Sequence, residues 1–131
     1  MNKEIEEKIV NAFFIKRKRE RALYQMTFSD KKREDLLWAI ESNDLLDSQY
    51  VLEIQRTPSF ETIYNLLKGY GAPKECYVIG GEKDTEEVSL RDALKMVFGW
   101  GPSIISCIHG TLAYFEGHPN VGAPNRYILK K

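Results

Sequence analysis

Helical periodicity dominates the first part of the chain. Residues 3–26 contain neither proline nor glycine. Apolar side chains recur there at helical spacing, at Ile5, Ile9, Ala12 and Phe13. Basic residues then interrupt the apolar stripe, so we predict two helical segments separated by a break near residues 15–17.

Three further helices are predicted from their ends and their apolar faces. Ser29 is a favourable N-cap for a helix that ends at Asn43–Asp44. Thr57–Pro58 is predicted to begin the next helix, and Gly69 to end it. Ser89 begins the last helix, whose apolar stripe is the most regular in the chain: Leu90, Ala93, Leu94, Val97 and Phe98.

The period changes to that of β-strands in the remaining segments. Residues 49–55 and 76–79 are β-like, and residues 82–87 between them and the last helix are predicted to be a solvated loop. The densest run of β-branched and aromatic residues spans 102–117, with a turn at His109–Gly110. A further strand at 125–129 would complete an antiparallel meander.

The predicted fold class is α+β, in a single domain spanning residues 1–131. Two or three N-terminal helices within 1–43 precede a sheet-containing part, 49–131, with the order β-α-β-α-β-β-β. Because the middle resembles βαβ crossovers and the end resembles a meander, we expect a mixed sheet of about five strands, with helices mostly on one face.

Composition agrees with a globular domain. The 131 residues are 43% hydrophobic and 29% charged, and no apolar run approaches the roughly 18 residues of a membrane span. The acidic N-terminus lacks the apolar core of a signal peptide. We therefore expect a cytoplasmic protein without a membrane partner, in which both cysteines are reduced.

The net charge of zero conceals two opposed blocks. Residues 16–33 carry eight lysines and arginines against two acidic residues, whereas residues 34–61 carry seven acidic residues against one arginine. The basic block could bind nucleic acid through Arg17, Lys18, Arg19, Arg21, Lys31, Lys32 and Arg33. Pairing with carboxylates of the same domain explains these residues equally well, so nucleic acid is an alternative partner and is not favoured.

The loop 117–125 is long for a strand connection, and long loops often carry function. Aromatic and polar residues on and beside it could form the rim of a ligand or partner site: Trp100, Tyr114, His118, Asn120, Arg126 and Tyr127.

Catalytic chemistry has only weak candidates. Cys107 and His109 are two residues apart on a predicted strand, so that thiol and imidazole would share a face. Glu116 is a candidate carboxylate. Together with His109, His118 and Cys107 it could form a metal site, but the spacing lacks the close pairs typical of zinc sites. The glycine pairs lack the strand–loop–helix context of nucleotide-binding loops. We expect neither a metal nor a cofactor.

The C-terminal pattern resembles a family of small uncharacterised bacterial proteins. The resemblance is carried by these segments: 106–108, Gly110, 112–117, 125–129, 18–21 and 71–73. It implies a bacterial, cytosolic, stand-alone domain, and it supplies no activity and no functional residue.

Three functional hypotheses follow. The first is a non-enzymatic binding domain that recognises a protein partner or a small ligand through the C-terminal sheet and the 117–125 loop. The alternatives are a nucleic-acid-binding module that uses residues 16–33, and a small enzyme that uses Cys107 with His109, or Glu116. Self-association through Trp100 or the tyrosines also stays open.

Overall fold

The computed structural model of the protein describes residues 1–54, 59–119 and 124–131. The helices are α1 (Lys3–Phe13), α2 (Arg19–Phe28), α3 (Asp30–Ser42), α4 (Phe60–Gly69) and α5 (Leu90–Val97), with short 3-10 helices at Lys16–Lys18 and Ser48–Tyr50. The strands are β1 (Val51–Glu53), β2 (Glu75–Ile79), β3 (Glu87–Ser89), β4 (Ser103–Ile108), β5 (Leu112–Glu116) and β6 (Arg126–Lys130). Across these ranges, none of the helices combines the length and apolar character that a membrane crossing requires.

The described strands form one six-stranded sheet in the order β1–β6–β5–β4–β2–β3. Every neighbouring pair is antiparallel. The predicted C-terminal meander is confirmed: β4 and β5 meet at the turn containing His109 and Gly110, and β6 returns beside β5.

The α+β class is confirmed, but the predictions of a mixed sheet and of about five strands are wrong. The two strands taken as a crossover pair, β1 and β2, are not neighbours, since β1 pairs with β6 and β2 pairs with β4. The additional strand is β3, which begins inside the segment predicted to be a solvated loop. The sequence pattern does not indicate this strand, because it is three residues long and Val88 is its one apolar residue.

Helices cover both faces of the sheet, which corrects the expectation that they lie mostly on one. Side chains alternate between the two faces along a strand, so Tyr77 and Ile79 of β2 pack with α1, α2 and α3, whereas Cys76 and Val78 pack with α4 and α5. The central strands are therefore apolar on both faces. This is why apolar residues follow one another without alternation at Ile104–Ile105 of β4 and at 112–115 of β5.

Local signals at the helix ends agree with the sequence in most places. α1 ends at Phe13 and α2 begins at Arg19, so the predicted break is confirmed. The Ser29 side chain accepts a hydrogen bond from Lys32 N at 3.1 Å, as an N-cap does. The predicted helix start at Thr57–Pro58 lies outside the described residues, and α4 begins at Phe60.

Candidate functional site

A groove lies where three segments meet at one end of the sheet. These are the exposed face of α3, the turn that follows β2 at Gly80–Gly81, and the 99–102 turn that precedes β4. The groove contains a cavity of about 400 Å³ between α3 and the two turns. A second cavity of about 540 Å³ lies against α5. Gly80, Gly81 and Trp100 line both cavities, so the two spaces adjoin at Trp100.

Two tryptophans give the first cavity its aromatic character. Trp38 and Trp100 both line it, and they are the two tryptophans of the chain. Trp100 is 80% exposed and Trp38 is 44% exposed. A solvated indole loses stabilising burial that the same residue would gain in the core. Two exposed indoles on one cavity indicate a surface that a bound partner could cover.

The chain bends sharply at the glycine turn that forms the groove wall. Gly80 has a φ of +99°, a conformation that favours glycine. A Cβ atom on Gly80 would lie 2.8 Å from Leu37 Cδ1 and 2.9 Å from the Pro102 carbonyl oxygen. Glycine at this position therefore allows α3, the turn after β2 and the start of β4 to pack together.

Arg33 forms the floor of the first cavity. Its guanidinium donates to both carboxylate oxygens of Glu6, at 2.6 and 2.7 Å, and to both of Asp84, at 2.9 and 2.8 Å. Burial lowers the pKa of Arg33, but the bonds to Glu6 and Asp84 outweigh that effect and raise it above its ordinary value. Arg33 thereby ties α1, α3 and the turn after β2 together.

The same network continues below the floor. The Tyr77 hydroxyl donates to Glu6 at 2.6 Å, and burial together with this bond raises the pKa of Tyr77 to about 12. Asp84 also accepts a hydrogen bond from Gly80 N at 2.8 Å. The turn is thus fixed by the carboxylate that Arg33 holds.

A second buried cluster supports the turn that carries Trp100. Glu116 is fully buried and accepts hydrogen bonds from the Tyr114 hydroxyl, from Arg126 Nε at 3.0 Å and from Gly99 N at 2.8 Å. The Arg126 guanidinium lies 4.2 Å from the centroid of the Phe98 ring. Burial and the adjacent Glu116 raise the pKa of Tyr114 above its ordinary range. The cluster anchors the backbone immediately before Trp100.

The start of the 117–125 loop lies beside the groove. The His118 ring packs on Trp38 with centroids 4.0 Å apart. Its backbone N donates to Glu41 Oε1 at 3.3 Å, and Asn125 Nδ2 donates to Glu41 Oε2 at 2.9 Å. The Glu41 carboxylate of α3 therefore accepts hydrogen bonds from both ends of the 117–125 segment, at His118 and Asn125.

The predicted binding residues separate into three groups. Trp100 and His118 lie at or beside the groove, as described above. Tyr114 and Arg126 are buried partners of Glu116, while Tyr127 is half-buried and stacks on Phe115. Asn120 lies outside the described residues.

The predicted catalytic residues are not brought together. Cys107 is buried among α4 and α5, and burial raises the pKa of its thiol well above the ordinary range. His109 instead pairs with Ser106, with Nδ1 and Oγ 2.6 Å apart, and Ser106 is itself fully buried. Within the described ranges, no three histidine, cysteine, aspartate or glutamate residues cluster in a way that would hold a metal ion.

Much of the basic block is engaged within the protein. The Lys18 ammonium donates to the Asn43 carbonyl oxygen, and Arg19 Nε donates to that of Phe14 at 3.0 Å. Lys31 lies 4.0 Å from Asp35, and Arg33 is buried in the network described above. The other four basic residues of the block, Lys16, Arg17, Arg21 and Lys32, are exposed.

Sequence reasoning missed most of the groove. Neither Trp38 nor the Gly80–Gly81 turn was predicted to be a site residue. One signal was present: Asp30, Glu34 and Trp38 recur at intervals of four, which places them on one helix face. The two turns that complete the groove lie about 40 to 70 residues further along the chain, and no local sequence pattern indicates that they meet α3.

Comparison with known proteins adds no identification: no protein-family model, no curated protein and no solved structure matches the chain.

Proposed function

We propose that this protein is a non-enzymatic binding domain that recognises a segment of a protein partner in the groove between α3 and the turns at Gly80–Gly81 and 99–102. The observation that carries the proposal is that both tryptophans of the chain line one cavity there while remaining exposed. Tryptophan is the residue type most often responsible for the binding energy of an interface.

The rigidity of the groove supports this role. The turn after β2 is held by the ion pairs of Arg33, and the turn before β4 is held by Glu116 through Gly99 N. A site whose walls are fixed before binding loses less conformational entropy when a partner docks.

The shape favours an extended segment over a compact ligand. Two cavities adjoin at Trp100, and the lining of the second combines the apolar residues Val78, Ala93 and Val97 with the charged residues Glu82, Lys83 and Lys95. A peptide that crosses Trp100 would place side chains in both spaces, each of which is of the size of a ligand site.

An enzymatic role has less support. The candidate thiol is buried with a raised pKa, and each oxygen of Glu116 already accepts a hydrogen bond from within the protein. The predicted nucleophile and its base also have different neighbours.

A random heptapeptide library selected on the immobilised protein tests the proposal. Peptides recovered on the parent should lose at least tenfold in affinity for Trp100→Ala. They should retain their affinity for Tyr70→Ala, which removes an exposed aromatic residue immediately after α4. Equal binding to both variants, or recovery of no peptide above background, would exclude the groove as the binding site.

A further inference from the structure

The charge on the lining of the first cavity restricts what can enter it. The inference that follows rests on the proposed function and concerns the chemistry of the partner. Asp30, Glu34 and Asp84 line the cavity together with one cation, Arg33. Acidic side chains therefore outnumber cations on the cavity lining, and an anion could bind there only if Arg33 had donors free.

Arg33 has no hydrogen left to donate. A guanidinium carries five N–H donors, and Arg33 directs them at Glu6, Asp84 and the Met26 carbonyl oxygen, the last at 3.3 Å. A phosphate or carboxylate that entered the cavity would meet this arginine with all of its donors occupied. The floor therefore does not constitute an anion site.

The carboxylates of α3 are in the opposite situation. Asp30 and Glu34 are exposed and lie one helical turn apart, and Trp38 follows one turn later. Among residues 1–54, 59–119 and 124–131, neither carboxylate has a hydrogen-bond or ion-pair partner. Both are thus available to a cation in the cavity.

The two indoles supply an independent reason to expect a cation. Tryptophan is the aromatic ring that attracts a cation most strongly, and a guanidinium also stacks on its face. The protein already uses such contacts internally, since Arg91 lies 4.5 Å from the Tyr64 centroid and Arg126 lies 4.2 Å from that of Phe98. Trp38, whose ring also packs on that of His118, and the more exposed Trp100 line the same cavity. Within residues 1–54, 59–119 and 124–131, neither indole carries a lysine or arginine of this chain.

We infer that the partner segment inserts an arginine or lysine side chain into the cavity between Trp38 and Trp100, where its charge faces Asp30 and Glu34. The planar guanidinium fits this setting better than the compact ammonium, because it is less strongly hydrated and stacks on aromatic faces. The second cavity, which apolar and charged residues line together, then takes a neighbouring side chain of the same segment.

The test uses blocked Gly-Arg-Gly and its citrulline analogue, which has the same shape without the charge. Both peptides are titrated into the full chain at low salt, and the intrinsic tryptophan fluorescence is followed. Because both tryptophans line this cavity, the signal reports on it directly. We expect the arginine peptide to bind about tenfold more tightly than the citrulline peptide. Raising the salt concentration should weaken only the arginine peptide.

Matched variants locate the charge effect. Glu34→Gln should weaken the arginine peptide about threefold and leave the citrulline peptide unchanged. Glu61→Gln, which removes an exposed carboxylate from the first turn of α4, should change neither. Equal affinity for the two peptides, or equal effects of the two variants, would overturn the inference.

The outcome is separable from that of the proposed function. If the library yields peptides that require Trp100 but contain no basic residue, the binding groove stands and the cation inference is wrong. If the library yields nothing and neither short peptide alters the fluorescence, both proposals fail.

Discussion

Removing Arg126 should be among the most damaging single changes in this protein, although the residue was predicted to bind a ligand. In Arg126→Met the Glu116 carboxylate stays fully buried and keeps two of its three donors, the Tyr114 hydroxyl and Gly99 N. Removal of one partner from a buried ion pair costs about 3–5 kcal/mol, because the remaining charge is left uncompensated. That is a large part of the roughly 5–15 kcal/mol by which a domain of this kind is stable.

Arg91→Met is the matched control. Arg91 also lies over an aromatic ring, that of Tyr64, but it is exposed and has no buried carboxylate beside it. Its loss should cost no more than about 1 kcal/mol. The difference between the two variants isolates the contribution of the buried carboxylate from that of ring stacking.

Urea unfolding followed by circular dichroism gives the required free energies, provided that the slope with denaturant is unchanged. In the double variant Arg126→Met with Glu116→Gln, the buried charge is removed together with its partner. Its cost should fall well below the sum of the two single costs. Strictly additive costs, or a loss below about 1 kcal/mol for Arg126→Met alone, would refute this account of the cluster.

Three further predictions concern the turns, the thiols and the pH dependence. Gly99→Ala should lower the free energy of unfolding by about 1–2 kcal/mol, because Gly99 has a φ of +82° but no atom that its new Cβ would contact. Gly80→Ala should lower it by roughly 1–3 kcal/mol more, because the Cβ at Gly80 would also collide with neighbouring atoms. Equal losses in urea unfolding would contradict the packing at Gly80. Cys76 and Cys107 should react with a thiol reagent at neutral pH far more slowly in the native protein than after unfolding. The reason is that burial raises the pKa of Cys76 to about 12 and that of Cys107 further. A fast reaction of the native protein would restore the enzymatic hypothesis. Burial lowers the pKa of His109 below its ordinary 6.5, so the stability that the neutral imidazole contributes is complete above pH 6.5 and is lost as the pH falls. Between pH 7.5 and pH 5 the parent should therefore lose more free energy of unfolding than His109→Gln. Parallel plots of that free energy against pH would show that the imidazole has no such effect.

The sequence predicted elements whose signals are local. The caps at Ser29 and Ser89 and the apolar stripe of α5 were identified from a few adjacent residues, and the structure has them where they were predicted. The turn at His109–Gly110 is of the same kind. Strand order was not predictable in this way, since the pairing of β1 with β6 joins residues more than 70 positions apart.

The site was predictable only in part, for the same reason. Trp100, Tyr114 and Arg126 were predicted as rim residues of one site. Trp100 lines the groove, whereas Tyr114 and Arg126 are buried partners of Glu116. Pairing of β5 with β6 places Tyr114, Glu116 and Arg126 on one buried face of these two strands. Arg33 was assigned to a basic surface because nothing in the sequence shows that Glu6 and Asp84 enclose it.

Mapping a selected peptide on the amide and indole signals of the protein tests the central claim most directly. With only two tryptophans, the indole N–H region of a nitrogen–proton correlation spectrum contains two signals that can be assigned by substitution. The account predicts that both signals shift on addition of the peptide, together with the amides of Gly80 and Gly81, while those of β1 and α4 do not. Unchanged indole signals, with the largest shifts on β1 or α4, would contradict it.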